Sequence, residues 1–181
     1  MEEDKKLYRR FLNGDKESFE LIVDKYMEKI IYFVYGFVKR IDVAEDLAQD
    51  VFVYILMNKE KYDSKYSLRT YLYTIAKCRA INYLKSESRI TYLQDNEYLF
   101  TEEEIEDIVF CKEKNKQLKL AINKLPEPQN RIIYLVDIEE LSYKEICKIF
   151  DMSLSKVKTL IHRGRKKLKT ILEKEVKSYN E

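Results

Sequence analysis

Apolar residues return along this chain at steps of three and four rather than two, the spacing of amphipathic helices and not of strands. Residues 15 to 39 predict one long helix capped by Asp15, with Phe19, Ile22, Tyr26, Ile30, Phe33, Val34 and Phe37 on its buried side. In DVAEDLAQDVFVYIL the buried rhythm is Ala44, Leu47, Ala48, Val51, Phe52, Ile55 and Leu56, leaving Glu45, Asp46, Gln49 and Asp50 together on the far face. Leu68, Tyr71, Leu72 and Ile75 begin a further stripe. Nearer the C-terminus, Ser142 followed three residues later by Glu145 is a capping box that opens a short helix burying Ile146, Ile149 and Phe150. The last pattern, SLSKVKTLIHRGRKKL over residues 153–168, places Leu154, Val157, Ile161, Gly164 and Leu168 on one face with Leu160 beside them.

That last helix carries six cations and no acid, and its polar face is Ser155, Lys156, Lys158, Thr159, His162, Arg163 and Lys166. A basic amphipathic helix suits a phosphate backbone, an anionic membrane, an acidic protein or plain solvent. The preceding residues narrow the choice. Asp151 tolerates a left-handed turn and Ser153 can cap the next helix, so the pair has helix-turn-helix spacing, with Asp151 where the motif commonly has glycine. The spacing predicts that residues 155–168 enter a major groove, reading base edges and phosphates. His162, the only histidine, is expected to be a surface imidazole and not a ligand.

With three Gly and two Pro in 181 residues, the expected fold is all-α. No apolar run approaches the length of a membrane span and no signal region is visible, which predicts a soluble, cytoplasmic protein. Cys78, Cys111 and Cys147 lack ligand spacing and are expected to be reduced, mostly buried thiols; no metal and no cofactor is expected. The net charge of +2 conceals a split: residues 1–89 carry +2, residues 90–111 carry −7 and residues 112–181 carry +7. This predicts two small helical domains joined by the acidic segment ITYLQDNEYLFTEEEIEDIVFC, which fully extended spans about 70–80 Å.

Between Met57 and Arg89, Lys59, Lys61, Lys65, Arg69, Lys77, Arg79, Lys85 and Arg89 are interleaved with Tyr62, Tyr66, Tyr73 and Tyr83. Such interleaving suits single-stranded nucleic acid, because rings stack on unpaired bases while cations hold the backbone. Tyrosines at helical spacing suit a core equally well.

VAEDLAQDVF, YLYTIAKCRAINYLKS, LPEPQNRIIYLVDIEELSYKEICKIF and SLSKVKTLIHRGRKKL, in that order, resemble the extracytoplasmic-function sigma factors of bacterial RNA polymerase over nearly the whole chain. The resemblance implies a sigma-2 domain at 1–89, a linker at 90–111 and a sigma-4 domain at 112–181. It implies that Asp46, Gln49 and Asp50 lie on the clamp helices of the polymerase largest subunit. It further implies that Asn58, Lys59, Tyr62, Lys65, Tyr66, Arg69, Tyr73 and Lys77 open and read the minus-10 element of promoter DNA. The second helix of the C-terminal pair would read minus-35, and the helices around Leu125 to Leu141 would dock on the polymerase flap. Core RNA polymerase and an anti-sigma factor are the implied partners, without membrane insertion. Three positions depart from the family pattern: Tyr71 stands in place of Trp, Asn130 in place of an arginine that here falls at Arg131, and Gly164 in place of Ala.

An enzyme is disfavoured, since neither a phosphate-cradling glycine loop nor a nucleophile with a base partner is visible. A stand-alone helix-turn-helix regulator is the other alternative; it predicts a symmetric operator and no need for polymerase. A helical adaptor without DNA contact would leave the charge split unexplained.

Overall fold

The computed structural model describes residues 2–91 and 116–178, with side chains for 2–88 and 117–174. The chain divides into two compact units, residues 1–100 and 101–181. The acidic segment at 90–111 and Cys111 lie, apart from the backbone of residues 90 and 91, outside the described residues.

The first unit holds α1 (Glu2–Leu12), α2 (Lys16–Val38), α3 (Ile41–Met57) and α4 (Leu68–Thr91), with a short 3-10 turn at Lys59–Lys61. Asp15 caps α2 as its sequence predicts: its Oδ1 accepts from the Ser18 N–H at 3.3 Å and its Oδ2 from the Ser18 hydroxyl at 2.7 Å. A left-handed Lys39, φ 57°, ends the helix. Because α2 lies against α1, α3 and α4, it is buried almost all round its C-terminal half, where Tyr32, Tyr35 and Val38 join Ile30, Phe33 and Val34 in the core. Phe19 and Phe37 are half-buried. On α3 the core residues are Ala44, Ala48, Val51, Phe52 and Ile55.

Leu56, expected inside, is instead exposed, as are Val53 and Met57. Leu56 stands about 110° round the helix from the centre of the buried stripe, beyond the arc that α2 and α4 cover. The cysteine expectation is corrected too: Cys78 is exposed on α4 and Cys147 is half-buried, both as free thiols.

The N-terminal helix is fixed to α2 by an ion pair between the buried Asp4 and the partly solvated Lys25, with Lys25 Nζ 2.6 Å from Asp4 Oδ1, and by Phe11 stacked on Phe19 at 4.7 Å. Burial pushes the Asp4 carboxyl up, but the Lys25 hydrogen bond and charge outweigh it and hold the group below its ordinary range.

The second unit holds α5 (Lys116–Asn123), α6 (Gln129–Ile133), which runs into a π-helical turn at Tyr134–Ile138, α7 (Tyr143–Phe150) and α8 (Leu154–Ser178). Arg131 is wholly buried: its Nη2 donates to Asn123 Oδ1 at 2.6 Å and its Nε lies 3.5 Å from Glu127 Oε1. Asn130 turns inward as well, its Oδ1 accepting from the Arg131 N–H at 2.7 Å. The arginine shifted by one position is thus a core residue whose charge is met by hydrogen bonds and a carboxylate.

Candidate nucleic-acid interface

The helix-turn-helix forms as the pattern requires. The Ser142 N–H donates to Glu145 Oε2 at 2.9 Å while Ser142 Oγ accepts from the Glu145 N–H at 3.3 Å, the reciprocal capping box. Asp151 adopts the left-handed conformation, φ 53° and ψ 52°, in place of the usual glycine, and its N–H donates to the Cys147 carbonyl. Ser153 Oγ then accepts from the Lys156 N–H at 3.3 Å and opens α8.

On α8 Val157, Ile161 and Leu168 are buried, as is Gly164; Leu160 is half-buried. Leu154, expected on the same face, is exposed, because it occupies the first position of the helix, ahead of the turn that packs. A Cβ on Gly164 would stand 2.7 Å from Ile133 Cγ1, so the helix approaches α6 more closely than a side chain here would allow without displacing Ile133. Arg165 Nε and Nη2 chelate the Asp137 carboxylate across 28 residues, pinning the same face to the π-helical turn. That hydrogen bond and charge hold the Arg165 guanidinium above its ordinary value.

With this face locked, Ser155, Lys156, Lys158, Thr159, His162, Arg163 and Lys166 are all exposed on the opposite side. Four cations and three hydrogen-bonding side chains on a rigid helix are what reading a duplex groove requires.

In the first unit, Asp46, Gln49 and Asp50 are exposed on α3 with Glu45 at their margin. The same stripe continues into Val53, Leu56 and Met57, the last 76% exposed, so the face is acidic at its N-terminal end and apolar at its C-terminal end. Sequence reading missed the apolar half, because Leu56 also fits the edge of the buried rhythm. A solvent-facing apolar patch adjoining a charged row is the composition of a protein contact.

The tyrosine and cation segment separates into layers. Tyr73 is 0% exposed and its ring meets Phe33 edge-on at 4.9 Å, so it is a core residue and does not offer its ring to a base. This corrects its inclusion among the base-reading residues; α4 is buried over a broad arc because it packs on both α2 and α3. Tyr62 is half-buried between Tyr8 and Tyr71, with ring centroids at 4.5 and 5.4 Å. Burial pushes its hydroxyl up to about 12, with the charges of Asp4 and Asp63 adding to the shift. Burial also raises Tyr8 and Tyr71.

Asn58 Nδ2 donates to the Tyr54 carbonyl at 2.9 Å, and Lys61 and Arg79 each stand 5.5 Å from the Tyr54 ring. Lys65 and Tyr66 are exposed at the tip of the loop, Tyr66 by 43%. Lys59, Arg69 and Lys77 are half-buried. Among the described residues no group of three His, Cys, Asp or Glu could hold a metal ion, and no helix is long and apolar enough to cross a membrane.

Family models match segments of both units. Residues 22–90 match the model of Sigma-70 region 2 and residues 115–168 that of Sigma-70, region 4. The chain is 33% identical over 177 residues to the ECF RNA polymerase sigma factor SigW of Bacillus subtilis, covering 91% of this chain and 94% of SigW. It is 32% identical over 163 residues to the RNA polymerase sigma factor YlaC of the same organism, covering 88% and 94%. Among solved structures, the sigma factor RpoE from Bartonella quintana, crystallised with the anti-sigma factor NepR, shares the fold at a TM-score of 0.71 with 18% identity, covering 87% of this chain and 98% of that one. That family is one of transcription initiation factors and not a class of enzymes. With helices throughout its described residues, a helix-turn-helix in the unit that matches region 4 and a region 2 match in the other, this chain belongs to the extracytoplasmic-function sigma factors of bacterial RNA polymerase.

Proposed function

We propose that this protein acts in the cytoplasm as an alternative sigma factor without catalytic activity of its own, directing core RNA polymerase to specific promoters through two separate DNA contacts. In this assignment residues 1–89 bind the polymerase clamp and the minus-10 element, 90–111 form the linker, and 112–181 read minus-35 and dock on the flap. The observation that carries it is the outward row from Ser155 to Lys166 on α8, held by the Gly164 and Arg165 contacts on its other side. Ser155, Lys156 and Thr159, near the start of the helix, face base edges; Lys158, His162, Arg163 and Lys166 meet phosphates.

On α3, Asp46, Gln49 and Asp50 meet basic groups of the clamp, while Val53, Leu56 and Met57 supply apolar area beside them. Around the loop, Asn58, Lys59, Tyr62, Lys65, Tyr66, Arg69 and Lys77 form the minus-10 surface, with Tyr66 the exposed ring. Regulation by an anti-sigma factor is supported by the fold shared with RpoE, which was solved in such a complex. A helix-turn-helix of this size buries little duplex, so polymerase supplies much of the affinity.

Run-off transcription with purified core polymerase on a fragmented library of the host genome, with and without the protein, tests the assignment. New, specific start sites sharing two spaced elements are expected. Duplex binding by the protein alone with no new transcripts would overturn it in favour of a stand-alone regulator.

A further inference from the structure

We propose that Tyr8 is a positioning residue for promoter reading: from α1 it props the loop at residues 58–67 through Lys59 and Tyr62. The inference rests on the minus-10 role proposed above for that loop. The Tyr8 hydroxyl donates to the Lys59 carbonyl at 2.9 Å, across 51 residues of sequence. Its ring meets the Tyr62 ring edge-on at 4.5 Å. The Tyr62 hydroxyl in turn donates to the Tyr66 carbonyl at 2.8 Å. One hydroxyl therefore fixes the entry of the loop, the other fixes its exposed tip, and the two rings lie against each other between them.

The anchor itself is firm. Tyr8 is 1% exposed and lies edge-on to Phe11 at 5.5 Å, and Phe11 and Asp4 hold α1 on α2 by the stack and ion pair already described. The match to Sigma-70 region 2 begins at residue 22, so this prop comes from outside the matched segment. A phenylalanine at position 8 would fill the same volume, and packing alone has no need of the hydroxyl. Its use is directional: it sets where the Lys59 carbonyl points. A loop that captures an unstacked base gains selectivity by being ordered in advance, since ordering it on contact would weaken right and wrong bases alike.

The test is transcription by the full chain with core polymerase on a promoter library randomised across the minus-10 element. Tyr8→Phe removes only the hydroxyl and is expected to flatten base preference at the most discriminating position by about three- to tenfold, the effect of losing one partly buried hydrogen bond. Its affinity for core polymerase and for a duplex minus-35 probe stays that of the wild type. Because Tyr62 itself belongs to the proposed minus-10 surface, the independent readout is hydrogen exchange of the amides of residues 58–67, expected to be faster in Tyr8→Phe with the rest of the first unit unchanged; unchanged exchange in that loop overturns the proposal. Uniformly lower transcription from all promoters, or unchanged preference in Tyr8→Phe while Tyr66→Ala flattens it, overturns the proposal and leaves the minus-10 role intact. Unchanged preference in a Lys65→Ala, Tyr66→Ala double variant overturns the minus-10 role of the loop, and the proposal with it.

Discussion

Replacing Gly164 with alanine sets two opposed effects against each other at one atom. In an isolated helix the change stabilises by about 1 kcal/mol, because glycine loses more backbone freedom on ordering. Here the new methyl would lie 2.7 Å from Ile133 Cγ1 and 3.0 Å from Cδ1, on a fully buried side chain. Carbon atoms prefer about 3.5–4.0 Å, so roughly 1 Å must be opened between α8 and α6 or taken up by an off-rotamer Ile133. Overpacking of this kind costs about 1–3 kcal/mol, and the net expectation is a loss of about 1 kcal/mol in the second unit. Native-state hydrogen exchange of α8 amides reads that unit separately, and about fivefold faster exchange is expected. Ile133→Ala, which leaves a cavity worth about 2–5 kcal/mol by itself, should cost about 1 kcal/mol less when alanine is already at 164, since the methyl partly fills the space. Slower exchange in Gly164→Ala, with no coupling to Ile133→Ala, would refute the close-approach argument.

Arg163→Ala should weaken binding to every duplex alike and reduce the magnitude of the salt slope by about 1, measured by anisotropy titrations at several salt concentrations. Arg165→Ala should instead lower the thermal stability of the second unit, because it breaks the Asp137 chelate; a pure change of salt slope would contradict that assignment. Asp151→Gly should stabilise by about 0.5–1 kcal/mol, since φ 53° strains any residue with a Cβ, and a fall in melting temperature would contradict the turn geometry. The folded Asp4 carboxyl binds its proton less readily than the unfolded one, so its contribution is complete above about pH 4 and disappears as pH falls through the folded value. Asp4→Asn should therefore cost about 1–2 kcal/mol at neutral pH, the smaller figure because Lys25 is partly solvated, and its deficit against the wild type should shrink as acid unfolding curves pass below the folded value.

Local signals made several elements legible: a cap, a capping box or a single buried stripe each shows in the sequence without reference to the rest of the chain. The α2 cap at Asp15, the capping box at Ser142 and Glu145, and the stripe through Val157, Ile161 and Leu168 all follow from local rules. Where a helix has neighbours on more than one side the rule loses resolution. Tyr73 stands one residue after Leu72, about 100° round α4, and is buried against Phe33 on α2, where the pattern alone allowed a surface ring. The converse holds at Leu56, which continues the apolar rhythm of α3 but lies past the edge of what α2 and α4 cover.

The exposed polar row of α8 was legible in the sequence, and the contacts that hold the helix were not. Arg163 and Arg165 are two residues apart in one basic helix, and nothing local distinguishes an outward-facing arginine from a clasp. The distinction comes from Asp137, 28 residues upstream, which the π-helical turn carries to the α8 surface. That turn has no period of its own: its Glu139 N–H reaches back five residues to the Tyr134 carbonyl, outside the spacing that sequence patterns detect. Tyr8 is the same case over a longer span, since its bond to Lys59 exists only once α1 has docked on α2. The exposed polar residues of α8 are thus written in the periodicity of their own helix. Those that hold them in place are written in the packing of one helix against another, and only the folded chain brings them together.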